Sequence, residues 1–158
     1  MFSQTVEYAL RAMVYLAKNQ GGSCKTSDIA AATKVPSPYL SKVLQGLRQK
    51  GLVVLQRGVG GGVSLAHSPE ELSILDIVNA VEPIQRIASC PLEIATHGTR
   101  LCSLHRRMDD ALKDMEDVFR ASTLAEMLDP NNPSVPLCES APEPNLHSNE
   151  SHASQDGK

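Results

Sequence analysis

Two thiols and two imidazoles fall within sixteen residues of this chain: Cys90, His97, Cys102 and His105. Residues of these types can do two kinds of chemistry. Paired cysteines can act as a thiol switch that oxidises and reduces without a metal. Thiolates and imidazoles together can hold a metal, and a tetrahedral Cys/His set suits zinc. His97 precedes Gly98 and reads as a solvated loop residue. Cys24 lies far from the cluster, near Gly21 and Gly22, and reads as a plain small residue. There is no carboxylate pair, nucleophile–base constellation or substrate-binding motif, so an enzyme is not expected.

The elements around this stretch must position it. On its N-terminal side, Val6, Ala9, Leu10, Met13, Val14 and Ala17 recur at helical spacing and predict a helix from Phe2 to Lys18, ended by Gly21-Gly22. Thr26-Ser27-Asp28 offers N-caps for a short helix to Thr33, with Ile29 and Ala32 facing inward. Val35-Pro36 forces extended backbone. Ser37 as N-cap and Pro38 at the first helical position predict a third helix to Lys50, stopped by Gly51, with Leu40, Val43, Leu44 and Leu47 buried. Tyr39, Ser41, Lys42, Gln45 and Arg48 lie on its other faces. Two helices joined by a short turn have the layout of a helix-turn-helix.

A hairpin follows: Leu52 to Arg57 as one strand, a turn at Gly58-Val59-Gly60-Gly61-Gly62, and Val63 to Ala66 as the return. Placed directly after a helix-turn-helix, it reads as a wing. Bare glycine N–H groups at its tip can approach phosphates or the minor groove. The glycine order matches neither a P-loop nor a dinucleotide fingerprint, so a nucleotide cradle is not favoured. Ser73 caps a further helix to Ala80. From Leu101, apolar residues at Leu104, Met108, Ala111, Met115 and Val118 alternate at three and four residues, a heptad seam suited to pairing with a second copy of the chain. From 129 onward the composition turns to Pro, Asn, Ser, Glu and His, which reads as a disordered tail, with no fixed role for Cys138, His147 or His152.

Fold class and organisation follow. The chain is expected to be mainly α with a small β-hairpin wing, a winged helix-turn-helix plus a long C-terminal dimerisation helix. The winged head covers 1–82, a ligand loop 83–105, the dimerisation helix 106–128 and the tail 129–158. The net charge of −3 hides an asymmetry: residues 1–66 carry +6, 67–128 carry −5 and 129–158 carry −4. A basic head on an acidic body is expected to meet a polyanion. A winged helix can also serve as a protein-interaction module, but the basic head favours DNA. No apolar run is long enough to span a bilayer and no signal peptide is evident, so a cytoplasmic, membrane-free location is expected.

The opening Glu7-Tyr8-Ala9-Leu10, the segment Ser37 to Lys42, the stretch Leu47 to Val53, the wing Arg57 to Gly62 and the cysteine loop together resemble the Rrf-two family of bacterial winged-helix regulators. That family includes the iron–sulfur regulator IscR and the nitric-oxide sensor NsrR. The resemblance covers about residues 1–128. It implies a homodimeric transcription regulator, a repressor in the usual case, sensing redox, nitric oxide or iron–sulfur status through a [2Fe–2S]-type cluster at the dimer interface. Cluster-binding members carry three cysteines with five residues between each, and an IscR-like histidine after the last. Here those places fall on Cys90, Thr96, Cys102 and His105, so the middle thiolate is missing. In some relatives an acidic residue of the first helix ligates the cluster across the dimer, and Glu7 matches that place. The implied ligand set is Cys90, Cys102, His105 and Glu7, with zinc or a metal-free thiol switch as the alternatives and a Glu7–Arg11 surface pair as the plain reading of Glu7. Loss or oxidation of the cluster is expected to release Glu7 and change the angle between the heads. The resemblance also implies double-stranded DNA carrying a palindromic operator as partner, with Ser37, Tyr39, Ser41, Lys42 and Gln45 in the major groove and Arg57, Gly60 and Gly61 at the minor groove.

Overall fold

The computed structural model describes residues 2–90, 100–131 and 136–137. Its central element is α1, Gln4–Lys18. Ser3 caps it, its Oγ accepting from the Val6 N–H at 3.3 Å, so the helix starts two residues later than the apolar pattern alone suggested. Val6, Ala9, Met13, Leu16 and Ala17 form a buried stripe at helical spacing. That stripe packs against α2 (Thr26–Thr33), α3 (Ser37–Gln49), α4 (Ile74–Val81) and the second strand of the wing.

Two details of the helix-turn-helix differ from expectation. The N-cap of α2 is Lys25 and that of α3 is Pro36, so Ser37 and Pro38 are both inside the helix. Inward from α2 come Ile29 and Thr33, whereas Ala32 is exposed. Thr33 can be buried because its hydroxyl donates to the Ile29 carbonyl at 2.6 Å. Lys34 then adopts a left-handed conformation at φ 56° and turns the chain into buried Val35. The expected stripe of α3 is buried: Leu40, Val43, Leu44 and Leu47.

Strands β1 (Val53–Gln56) and β2 (Gly62–Leu65) pair antiparallel, Val53 opposite Leu65 and Gln56 opposite Gly62. Cys24 adds a bridge on the other edge of β2: its N–H and carbonyl bond the carbonyl and N–H of Val63, both at 2.8 Å. Gly62 permits this, since a Cβ there would stand 2.5 Å from the Cys24 carbonyl oxygen. After the wing, α4 opens with a capping box between Ser73 and Asp76.

The last long helix, α5, runs Ser103–Ala121. None of its residues is buried, and Leu104, Met108 and Val118 are 64%, 48% and 61% exposed. It contacts α4, and mid-helix Leu112 and Met115 are half-buried. Beyond its C-terminal end, Ser122 and Leu124 exchange backbone bonds with Ile74 and Leu72, and Leu124 is fully buried in the head's core. Phe119 stacks at 5.3 Å on Phe2. No helix among the described residues is long and apolar enough to cross a membrane. Thr96, His97, Cys138, His147 and His152 lie outside the described residues, as does most of the stretch expected to be a disordered tail.

Candidate metal centre and nucleic-acid interface

Cys102 is the N-cap of α5, and His105 sits three residues on, in the first turn. The spacing aims both side chains the same way: Cys102 Sγ is 3.3 Å from His105 Nδ1, and both residues are half-buried. This pair offers a soft sulfur and a ring nitrogen, and the chemistry of the donors fits a thiophilic metal. Cys90, at the other end of the loop, is buried at 6% exposure.

Glu7 stands elsewhere on the molecule. It is exposed on the first turn of α1, and its Oε1 accepts from Arg11 Nε at 2.9 Å. The plain surface pairing of Glu7 is therefore present within one chain. Among the described residues, no three Cys, His, Asp or Glu side chains gather into one site.

The chain entering the loop is pinned to α5. Arg86 donates from Nε and Nη2 to the two carboxylate oxygens of Asp109, at 2.7 and 2.5 Å, and from Nη1 to Glu116 at 3.3 Å. The Ile87 N–H donates to Asp109 at 2.9 Å. The Arg86 guanidinium, followed by the Ile87 N–H, holds the Asp109 carboxyl down at about 2, and the Asp109 bond in turn raises Arg86 above its usual range. Sequence reasoning missed both residues. They are 23 positions apart, and no local pattern links them.

The other candidate surface is formed by α3 and the wing. Ser37, Tyr39, Ser41, Lys42 and Gln45 are all exposed on α3, and Tyr39 is 60% exposed. Ser41 donates to the Ser37 carbonyl at 3.0 Å, so its hydroxyl has an intrahelical partner. At the wing apex the Gly61 N–H bonds the Gly58 carbonyl at 3.0 Å, and Gly60 takes φ +78°, the geometry of a type II turn that glycine favours. Arg57 is exposed beside it, and Val59 stands fully exposed at the tip.

Two side chains of α1 reach the helix-turn-helix. Arg11 Nη1 lies 3.4 Å from the Thr33 carbonyl, at the turn of the helix-turn-helix. Tyr8 meets Tyr39 of α3 with ring centroids 6.3 Å apart. Beside Glu7 and Arg11 opens an apolar groove of about 620 Å³, lined by Leu10, Val14, Val118 and Phe119 among others.

Residues 2–130 match the profile of the family described as "Rrf2: Iron-dependent Transcriptional regulator". The chain is 33% identical over 129 residues to the HTH-type transcriptional regulator NsrR of Geobacillus kaustophilus, covering 78% of this chain and 86% of that one. Its fold is similar to T. potens IscR, with a TM-score of 0.68 and 28% identity over 81% of this chain and 85% of that one. It is also similar to CymR, the global cysteine regulator of B. subtilis, with a TM-score of 0.63 and 30% identity over 80% and 95% of the two chains.

Proposed function

Because this chain belongs to the Rrf2 family of transcriptional regulators, we propose that it works as a homodimeric repressor whose hold on DNA is set by a [2Fe–2S]-type cluster. The ligands in this reading are Cys90, Cys102 and His105 of one chain and Glu7 of a second copy. Contact between Cys102 Sγ and His105 Nδ1 at 3.3 Å carries the reading, because it brings a thiol and an imidazole together at the mouth of the loop. Such a cluster would supply a one-electron redox change, at a potential raised by imidazole standing in for thiolate.

The chain's own residues do the rest. The exposed Leu104, Met108 and Val118 on α5 form the face that pairs two copies, consistent with a helix none of whose residues is fully buried within one chain. Pairing brings the loop of one copy to α1 of the other. When Glu7 leaves Arg11 to ligate, Arg11 keeps the Thr33 carbonyl as its partner, and the helix-turn-helix feels the change. Ser37, Tyr39, Ser41, Lys42 and Gln45 read the major groove, and Arg57, Gly60 and Gly61 contact the minor groove. Two such heads on one dimer require a palindromic operator with half-sites a whole number of helical turns apart.

A second reading, a metal-free thiol switch or a zinc site, draws on Thr96 at the place of the middle cysteine and on the likeness to CymR. Iron and acid-labile sulfide per subunit, measured on protein purified without oxygen, decide between the readings. Near-equal iron and sulfide, lost in Cys90→Ala and Cys102→Ala, support the cluster. Colourless protein that takes up neither after reconstitution supports the alternative.

A further inference from the structure

The segment that leads into Cys90 is anchored, not slack. Four hydrogen bonds join two consecutive residues, Arg86 and Ile87, to two carboxylates of α5, Asp109 and Glu116. The anchor points are not scattered over the helix. Asp109 is four residues after His105, and Glu116 is seven after Asp109, so His105, Asp109 and Glu116 follow one helical stripe, with Cys102 at its head. The step from Asp109 back to His105 is about 6 Å along the axis. From Ile87 to Cys90 the chain can span at most about 10 Å. The tether is long enough to bring Cys90 to the first turn of α5 and limits how far from the clamp it can lie, although the described Cys90, Cys102 and His105 side chains do not gather into one site in a single chain. Its burial agrees: Cys90 is 6% exposed, whereas its neighbours Ala88 and Ser89 are exposed.

We propose that Arg86 is a positioning residue of the metal centre, and that the Arg86–Asp109–Glu116 clamp keeps the first thiol within reach of the helix face bearing Cys102 and His105. The inference rests on reading Cys90, Cys102 and His105 as ligands. Exposed ion pairs of this kind add little to global stability. Their effect here is local, because they order the segment leading into Cys90 before a metal arrives and so lower the entropy lost on ligation. The chemistry demands arginine. Only its planar fork can meet both oxygens of Asp109 and still reach Glu116, whereas lysine supplies a point charge without that geometry.

The test uses the full-length, reduced, metal-free protein and follows the rate at which N-ethylmaleimide alkylates each cysteine, resolved by peptide mass. Arg86→Ala should speed alkylation of Cys90 by about tenfold and leave Cys24 unchanged, because only the clamped segment opens. Arg86→Lys should behave nearly like Arg86→Ala. The exchanged pair Arg86→Asp with Asp109→Arg should restore slow alkylation. A second arm titrates cobalt(II) alone and follows its thiolate absorption against a chelator: Arg86→Ala should weaken binding about tenfold, with recovery in the exchanged pair. Equal Cys90 alkylation in wild type and Arg86→Ala overturns the proposal. Faster alkylation with unchanged cobalt affinity also overturns it, since the clamp then orders the loop without serving ligation. Failure of the ligand reading looks different: wild-type protein takes up neither cobalt nor iron, which sinks the metal role of Arg86 whatever the alkylation rates.

Discussion

Arg11 reaches from the middle of α1 to the carbonyl of Thr33, 3.4 Å away, while its other face holds Glu7 at 2.9 Å. One guanidinium thus touches both the expected cluster ligand of α1 and the turn of the helix-turn-helix. Arg11→Met removes that link. Since Arg11 is a partly exposed ion-pair partner, stability should fall by only about 0.5 kcal/mol, measured by urea denaturation. The difference in operator affinity between the cluster-loaded and cluster-free forms should shrink markedly, measured by fluorescence anisotropy. An undiminished difference sinks the relay.

The proposed dimerisation through α5 makes its own prediction. Met108→Glu places a charge in the middle of the exposed apolar seam. Sedimentation should show the dimer converted to monomer, with the far-ultraviolet helix signal kept, because no core contact of the head is lost. A variant that remains dimeric places the interface elsewhere.

For DNA, Lys42 and Gln45 should behave differently although they lie on the same exposed face of α3. Lys42→Ala should weaken binding to all sequences alike and reduce the slope of log affinity against log salt by about 1. Gln45→Ala should instead cost about 1–3 kcal/mol at one base position and relax specificity there. Measuring both at several salt concentrations, on operator and scrambled DNA, separates a phosphate contact from a base contact.

The residues beyond α5 belong energetically to the head. Leu124 is fully buried in the same core as Met13, Leu44 and Ile77. Leu124→Ala should therefore destabilise the whole head by about 2–5 kcal/mol in a urea melt. A loss below 1 kcal/mol would falsify the view that this return segment completes the core.

Acid should loosen the clamp in a defined window. The Asp109 carboxyl sits at about 2 in the folded chain, held there first by Arg86 and then by the Ile87 N–H. Its unfolded value is about 3.9. A depressed folded value means that the contribution is complete above about pH 4 and is lost as pH falls through 2. Asp109→Asn should flatten the stability-against-pH curve over that window and change little at neutral pH beyond the missing pair. A wild-type slope that survives the substitution assigns it to other carboxylates.

Much of this fold could be read in advance, for physical reasons specific to each element. The α3 stripe of Leu40, Val43, Leu44 and Leu47 is a plain 3.6-residue period, and such a period needs only local information. The hairpin was legible from β-branched residues flanking glycines. What local reasoning mistook was capping and burial at the helix-turn-helix. Ser37 looked like a cap, but extended Pro36 takes that place. Thr33 is buried in place of Ala32 because a hydroxyl bonded to the Ile29 carbonyl carries no unsatisfied cost. In the candidate site, the Cys102–His105 contact follows from a spacing of three on a helix. The Arg86–Asp109 clamp and the Cys24–Val63 rung join residues distant in sequence, and no window of composition contains both partners.

The rung between Cys24 and Val63 bears on how a regulator of this shape can be switched. It stitches the wing to the segment leaving α1, so the hairpin cannot swing on its own two strands. In the proposed reading, α3 and the wing therefore travel as one plate, with the spacing between their two DNA footprints fixed within each head. In a dimer of such heads, what would be left to vary is the distance and angle from one plate to the other. A signal arriving at the loop would change whether two half-sites can be gripped at once, not which bases either half-site contains.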